Sequence, residues 1–167
     1  LFGPKRQPPS WRAPLWEPPK AVLDLEIPKN WARFLGVVAL GEHSVLLAGA
    51  SGAGKTTAGR ILHALMRTPD EQESKDLWQA CREEERQNLS WRPLIQPHHT
   101  IPTLSLLGGG PEAHGGELAR ADRGLLLLDE FFEFSPAAME ALREPLEQKK
   151  MRVSRGARVR EYPMRAQ

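Results

Sequence analysis

Apolar residues recur along the chain with helical spacing in some stretches and as short unbroken runs in others. In "WARFLGVVAL", Trp31, Phe34, Leu35 and Val38 fall on one helical face, and Asn30 is placed to cap that helix. Residues 43–49, "HSVLLAG", are an apolar run closed by glycine, the pattern of a buried strand feeding a turn. A helix is predicted from about Gly54, because Ala58, Ile61, Leu62 and Leu65 repeat at i, i+3, i+4 and i+7; Pro69 is expected to stop it. His63 lies inside that helix and reads as structural. Residues 70–88 are charged and predicted helical, with Leu77, Trp78 and Cys81 as a narrow apolar stripe.

"GLLLLDE", residues 124–130, reads as a second buried strand. Ser135 and Pro136 then open a helix as N-cap and first helical residue, with Met139, Leu142 and Leu146 as its buried face and Pro145 kinking its last turn. "MRVSRGARVREYPMR" alternates arginine with Val153, Val159 and Tyr162 around Arg155 and Gly156, which predicts a hairpin. Alternating strands and helices favour an α/β layered fold with a largely parallel sheet. No internal repeat is present.

Composition narrows this picture. The chain has 167 residues, enough for one domain with a core. Residues 1–20 hold six prolines and little periodicity. Residues 1–29 therefore read as an extended linker or arm, which Trp11 and Trp16 would anchor on a neighbouring surface, or as a tail left by a preceding domain. Residues 30–167 form the globular part. A net charge of +2 does not by itself argue for nucleic acid. Its distribution does more: from Lys149 onward seven basic residues face one acid, Glu161. A single cysteine, Cys81, excludes an internal disulfide and fits a reducing compartment. No apolar run is long enough to span a bilayer and no signal-peptide pattern opens the chain, so a cytoplasmic location without membrane contact is expected.

The chemistry lies in two motifs. Gly49, Ala50, Ser51, Gly52, Ala53, Gly54, Lys55 and Thr56 satisfy G-x-x-x-x-G-K-[ST], a Walker A loop, and Thr57 follows at the start of the helix. Glycines let backbone N–H groups close around phosphate oxygens, and the helix N-terminus adds positive dipole. Lys55 is the residue to reach the β- and γ-phosphates, and the Thr56 hydroxyl the ligand for Mg²⁺. A predicted strand before the loop and an amphipathic helix after it are the context that makes this an ATP site. The second motif ends the run 124–130. Asp129 can hold Mg²⁺ through water, as a Walker B aspartate does, and Glu130 can polarise the attacking water. An adjacent glutamate favours hydrolysis over phosphoryl transfer to another acceptor.

Between the two motifs stands "LIQPHHTIPTLSLLGGG". His98 and His99 are poorly spaced as zinc ligands, because neighbours on an extended chain point to opposite faces. A closed site needs about four ligands, and only Cys81, His114 and isolated acids are at hand, so no zinc is expected. The following "LLGGGPEAHGGE" reads as a flexible, glycine-hinged loop, an insertion over about 100–117.

With these pieces in order the sequence resembles the magnesium-chelatase-like AAA+ ATPases, most closely their ComM branch. The resemblance covers about residues 43–166 and rests on "GASGAGKTT", "RPLIQPHHT", "LLGGG" followed by "GGEL", "GLLLLDEFFEF", "ALREPLE" and "VSRGARVREYPMR". It implies a P-loop NTPase fold, a parallel AAA+ sheet with helices on both faces, and a hexameric ring hydrolysing ATP with Mg²⁺ between subunits. It also implies a helicase acting in DNA branch migration, with two insertions facing the central channel. These map onto Leu107–Gly116 and about Met151–Pro163. Arg152, Arg155, Arg158 and Arg160 are then candidates for phosphate contacts without sequence reading, the alternative being an edge strand protected by charge.

Departures are few. Asp122 stands where the pattern usually has histidine, and Gly115 where it often has proline. Gln167 falls where a fourth core strand is expected to begin, so the fourth and fifth strands, the helical lid, the γ-phosphate sensor and the arginine finger are expected outside these residues, and the core reads as incomplete. Two other functions stay open: a metal-chelatase ATPase subunit, and a non-hydrolysing, nucleotide-gated interaction module.

Overall fold

A computed structural model describes residues 16–20, 25–81, 86, 89–109, 114–155 and 158–167. Trp11, Gly110 with the three residues after it, and Gly156 at the hairpin turn lie outside the described residues, as does the predicted helix between 82 and 85.

Helix α1 (Lys29–Leu40) begins two residues earlier than its sequence suggests. Pro28 occupies the N-cap position without a side-chain hydrogen bond, so Asn30 lies inside the helix and does not cap it. Its buried face is Leu35, Val38 and Ala39, while Trp31 and Phe34 are more than a third exposed. α2 (Lys55–Leu65) packs against it through Ala58, Ile61 and Leu62. α2 stops at Met66, ahead of Pro69, and Leu65 in its last turn is 42% exposed rather than buried. α3 (Glu71–Ala80) is opened by a capping box in which Asp70 accepts from the Glu73 N–H and the Glu73 side chain accepts from the Asp70 N–H. The arm approaches this helix: Trp16 Nε1 donates to Ser74 Oγ at 2.9 Å.

The parallel sheet joins β1 (Leu94–Ile95), a strand the hydrophobic pattern did not announce, to β4 (Leu125–Leu126). Their register pairs Leu94 with Leu125 and Ile95 with Leu126. Because successive side chains point to opposite faces, each pair serves a different apolar cluster. Leu94 and Leu125 join the α1/α2 cluster. Ile95 and Leu126 face the larger one, built on Leu106, Leu118, Phe134, Leu142, Met151, Val153 and Met164. The sheet is thus a partition between two apolar layers, as an α/β fold requires.

The strand expected over residues 43–49 does not form; the segment makes no ladder, and Leu46 is 66% exposed. The reason lies at the other edge of β4. There the Leu126 N–H donates to Gln167 O and the Gln167 N–H to Gly124 O, each at 3.0 Å. The Gln167 amide then donates to Val38 O and His43 O at 2.7 and 3.1 Å. Gln167 therefore stands between β4 and residues 43–49.

The described residues on either side of 110–113 in the glycine-rich stretch carry secondary structure. α4 (Thr103–Leu107) leads into a two-residue antiparallel ladder of β2 (Gly108–Gly109) with β3 (His114–Gly115). Gly108 and Gly109 have φ of 94° and 154°, and a Cβ on Gly116 would strike the Gly108 nitrogen and the Leu106 carbonyl. α5 (Glu117–Arg120) follows. Ser135 caps α6 (Pro136–Gln148) by accepting from the Ala138 N–H, with Pro136 in the first turn as expected. Its buried residues are Ala138, Leu142 and Pro145; Met139 is half-buried and Leu146 is 37% exposed, one turn beyond the core. β5 (Lys150–Arg155) and β6 (Arg158–Pro163) complete the predicted antiparallel hairpin.

Candidate functional site

The loop between residue 49 and α2 is shaped by two glycines. Gly52 and Gly54 have φ of 77° and 81°, a left-handed conformation that side chains resist, and Gly54 is the N-cap of α2. This turn delivers the helix N-terminus, with its unpaired N–H groups, to one side of the loop. Lys55, the first helical residue, folds back so that Nζ donates to the carbonyls of Gly49 and Ala50 at 2.9 and 2.8 Å.

Thr56, one residue on, turns toward β4. Its hydroxyl donates to Asp129 Oδ2 at 2.7 Å, bringing together two residues 73 positions apart. Asp129 is held from the other side, where its Oδ1 accepts from the Glu130 N–H at 3.0 Å. Glu130 has φ 52° and ψ 45°, left-handed for a residue other than glycine, and its carboxylate is largely exposed. Its Oε2 lies 3.0 Å from His99 Nδ1. Lys55, Thr56, Asp129 and Glu130, all proposed from sequence, thus lie along one seam between α2 and the end of β4. Thr57 and Ser51 are exposed beside it.

Beside Lys55 opens a cavity of about 380 Å³, lined by Asn30, Trp31, Phe34, Leu46, Leu47, Ala48, Ala53 and Lys55. Trp31 and Phe34 meet edge to face, with centroids 6.1 Å apart. The sequence pattern puts both aromatics on one helical face with Leu35 and Val38; nothing in their spacing separates a core face from a pocket wall. Volume and lining suit a flat heteroaromatic group. Two oxygens from a hydroxyl and a carboxylate suit a hard divalent cation. ATP and Mg²⁺ therefore fit the residues present.

Behind the seam lies a buried charge cluster. Glu73 receives Arg67 at 2.7 Å and both Arg92 and Arg123 at 2.8 Å, and Arg123 also reaches Asp76 at 2.8 Å. Burial pushes the Glu73 carboxyl up, but hydrogen bonds from Arg67, Arg92 and the Asp70 backbone outweigh it and hold the group at about 2. Arg92 also donates to the carbonyls of Arg67 and Arg123, tying α2, β1 and β4 together. His63 is structural, as expected: one ring nitrogen bonds Arg92 O at 2.7 Å, and burial pushes its pKa down.

The arginines of the hairpin are not equivalent. Pairing Val153 with Arg160 and Arg155 with Arg158 puts positions 155, 158 and 160 on one face. Arg152 pairs with Glu161 on the other face. Arg152 and Arg160 are both exposed. Among the described residues no group of His, Cys, Asp and Glu is arranged to hold a metal ion by itself, and no helix is long and apolar enough to cross a membrane.

The sequence profile of the family described as "Magnesium chelatase, subunit ChlI" matches residues 24–167. An uncharacterized protein of Mycobacterium tuberculosis is 35% identical over 158 residues, 89% of this chain and 31% of its own length. The uncharacterized protein YifB of Escherichia coli is 34% identical over 141 residues, 81% of this chain and 28% of its own. The competence protein ComM of Haemophilus influenzae is 33% identical over 139 residues, 81% of this chain and 27% of its own. The chain therefore spans less than a third of the length of these relatives.

Proposed function

The chain belongs to the magnesium chelatase, subunit ChlI, family, and from that premise we propose that it is the nucleotide-binding part of an ATP-hydrolysing AAA+ motor acting on DNA. The observation that carries this reading is the 2.7 Å contact between Thr56 and Asp129, which joins the two motifs at one point. Bound there, ATP with Mg²⁺ supplies a γ-phosphoryl group whose developing charge the metal neutralises.

The chain's own groups divide the rest of the work. Residues Gly49 to Gly54 wrap the phosphates with backbone N–H groups, and Lys55 exchanges its two carbonyl partners for phosphate oxygens. Thr56 and Asp129 hold the metal side of the site. Trp31 and Phe34 stack on the base. Glu130 orients the attacking water and takes its proton.

On the resemblance of its motifs to the ComM-type AAA+ proteins alone, this motor is placed in a homo-hexameric ring in the cytoplasm. Arg160, with Arg155 and Arg158 at the same hairpin face, would meet DNA phosphates there, and Arg152 would do so from the other face. ATP turnover of the full-length protein, with and without branched DNA, tests the reading beside Glu130→Gln. We expect Glu130→Gln to bind ATP and lose turnover, and branched DNA to stimulate the native protein. Turnover surviving in Glu130→Gln would remove the base assignment. Stimulation by a chelatase partner subunit and not by DNA would replace the DNA reading with the metal-insertion one.

A further inference from the structure

We infer that His99 is a positioning residue for Glu130, holding its carboxylate in one orientation toward the attacking water. The inference rests on the hydrolysis reading above and concerns a contact that reading does not use.

The contact joins the turns that follow two paired strands. Ile95 pairs with Leu126. His99 lies four residues beyond the first and Glu130 four beyond the second, in the turns that follow the two paired strands at the same end of the sheet. The Leu127 N–H, donating to Ile95 O at 2.9 Å, closes this last pair of the ladder. Beyond it, His99 Nδ1 stands 3.0 Å from Glu130 Oε2. A carboxylate only accepts, so the histidine nitrogen donates.

His99 is the better fixed of the pair. Its side chain is 25% exposed against 64% for Glu130. Its ring lies on that of His98, centroids 4.2 Å apart. His98 is held in turn: its ring bonds Thr100 Oγ1 at 2.9 Å, and its carbonyl accepts from the Ile101 N–H at 2.9 Å. Pro97, just before, is buried. Glu130 by contrast has a long side chain with three rotatable bonds on an exposed left-handed turn. Left alone, it would sample many orientations, few of them useful to a water at one place. The donated hydrogen bond selects among them.

The test uses ATP turnover and binding of a fluorescent ATP analogue by the full-length protein. His99→Ala should lower kcat about tenfold to a hundredfold, the range of one hydrogen bond to a charged group, with KM and analogue affinity within twofold of native. His99→Asn places an amide N–H near the position of Nδ1 and should recover most of the loss, which a merely structural role would not predict. In a Glu130→Gln background His99→Ala should change nothing further. Unchanged or raised kcat in His99→Ala, while Glu130→Gln abolishes turnover, would overturn the inference and leave the hydrolysis reading standing. So would a loss of analogue binding as large as that from Lys55→Ala. Native turnover in Glu130→Gln would instead remove the hydrolysis reading itself.

Discussion

Asp122 accepts three hydrogen bonds from Arg165: at Oδ1 from the backbone N–H and Nε, 2.8 and 3.0 Å, and at Oδ2 from Nη2, 2.7 Å. The bonds to Asp122 raise the Arg165 pKa still further. Asp122 is 8% exposed and lies just before β4, so the pair fixes the residues after β6 against the sheet edge. Asp122→Ala should destabilise the fold by about 1–3 kcal/mol in urea unfolding, because it leaves the Arg165 N–H and a guanidinium without their acceptor. The aspartate that departs from the family's usual histidine is thus matched by its own arginine, and analogue binding should be unchanged.

Glu73 should govern acid stability. Its folded pKa of about 2 lies below the ordinary 4.5, so its contribution is present in full above 4.5 and is lost as pH falls from there toward 2. His63 adds in the same direction at higher pH: with its pKa depressed below 6.5, stability declines as pH falls below that value. Urea midpoints measured from pH 8 to pH 3 should fall in two steps. Glu73→Gln should remove the lower one and destabilise at neutral pH by several kcal/mol, about 3–5, since three arginines lose their shared anion.

Base and phosphate recognition should separate. Lys55→Ala should weaken binding of both ATP and tripolyphosphate about tenfold or more, because it removes charge-assisted bonds common to both. Trp31→Ala should weaken ATP about tenfold through lost stacking and leave tripolyphosphate unaffected. Calorimetric titration of the two ligands checks this; equal losses for both in Trp31→Ala would move the base elsewhere.

On the hairpin, Arg160→Ala should weaken DNA binding more than Arg152→Ala. Position 160 shares its face with 155 and 158, whereas position 152 is paired across the hairpin with the acidic Glu161 on the other face. Loss of a phosphate contact at 160 should reduce the slope of log affinity against log salt by about 1 on duplex DNA. Equal slopes for the two variants would put DNA on neither face in particular.

The candidate site was legible in the sequence because it is local: Gly49 to Thr56 and Asp129 with Glu130 each fall within a few residues. Ser135 and Pro136 were legible for the same reason. The sequence misled or was silent where a partner decides. Residues 43–49 have a strand's composition, but the edge of β4 they would use is taken by Gln167. Trp31 and Phe34 satisfy a helical period whether a core or a cavity lies opposite. The two histidines gave no ligand set by spacing, and His99 meets Glu130 only because the turns after two strands far apart in sequence lie side by side. Glu73 looked like one acid in a charged stretch; its three arginines come from three other places in the chain.

The left-handed backbone at Glu130 also bears on how this sequence can change over time. A side chain there costs roughly 1 kcal/mol, and glycine or asparagine would relieve much of it. Selection for hydrolysis and selection for a stable fold therefore pull in opposite directions at this position. In a lineage where turnover no longer mattered, drift at residue 130 would run downhill in strain, and glycine or asparagine in an otherwise intact motif would be an early mark of a decaying motor.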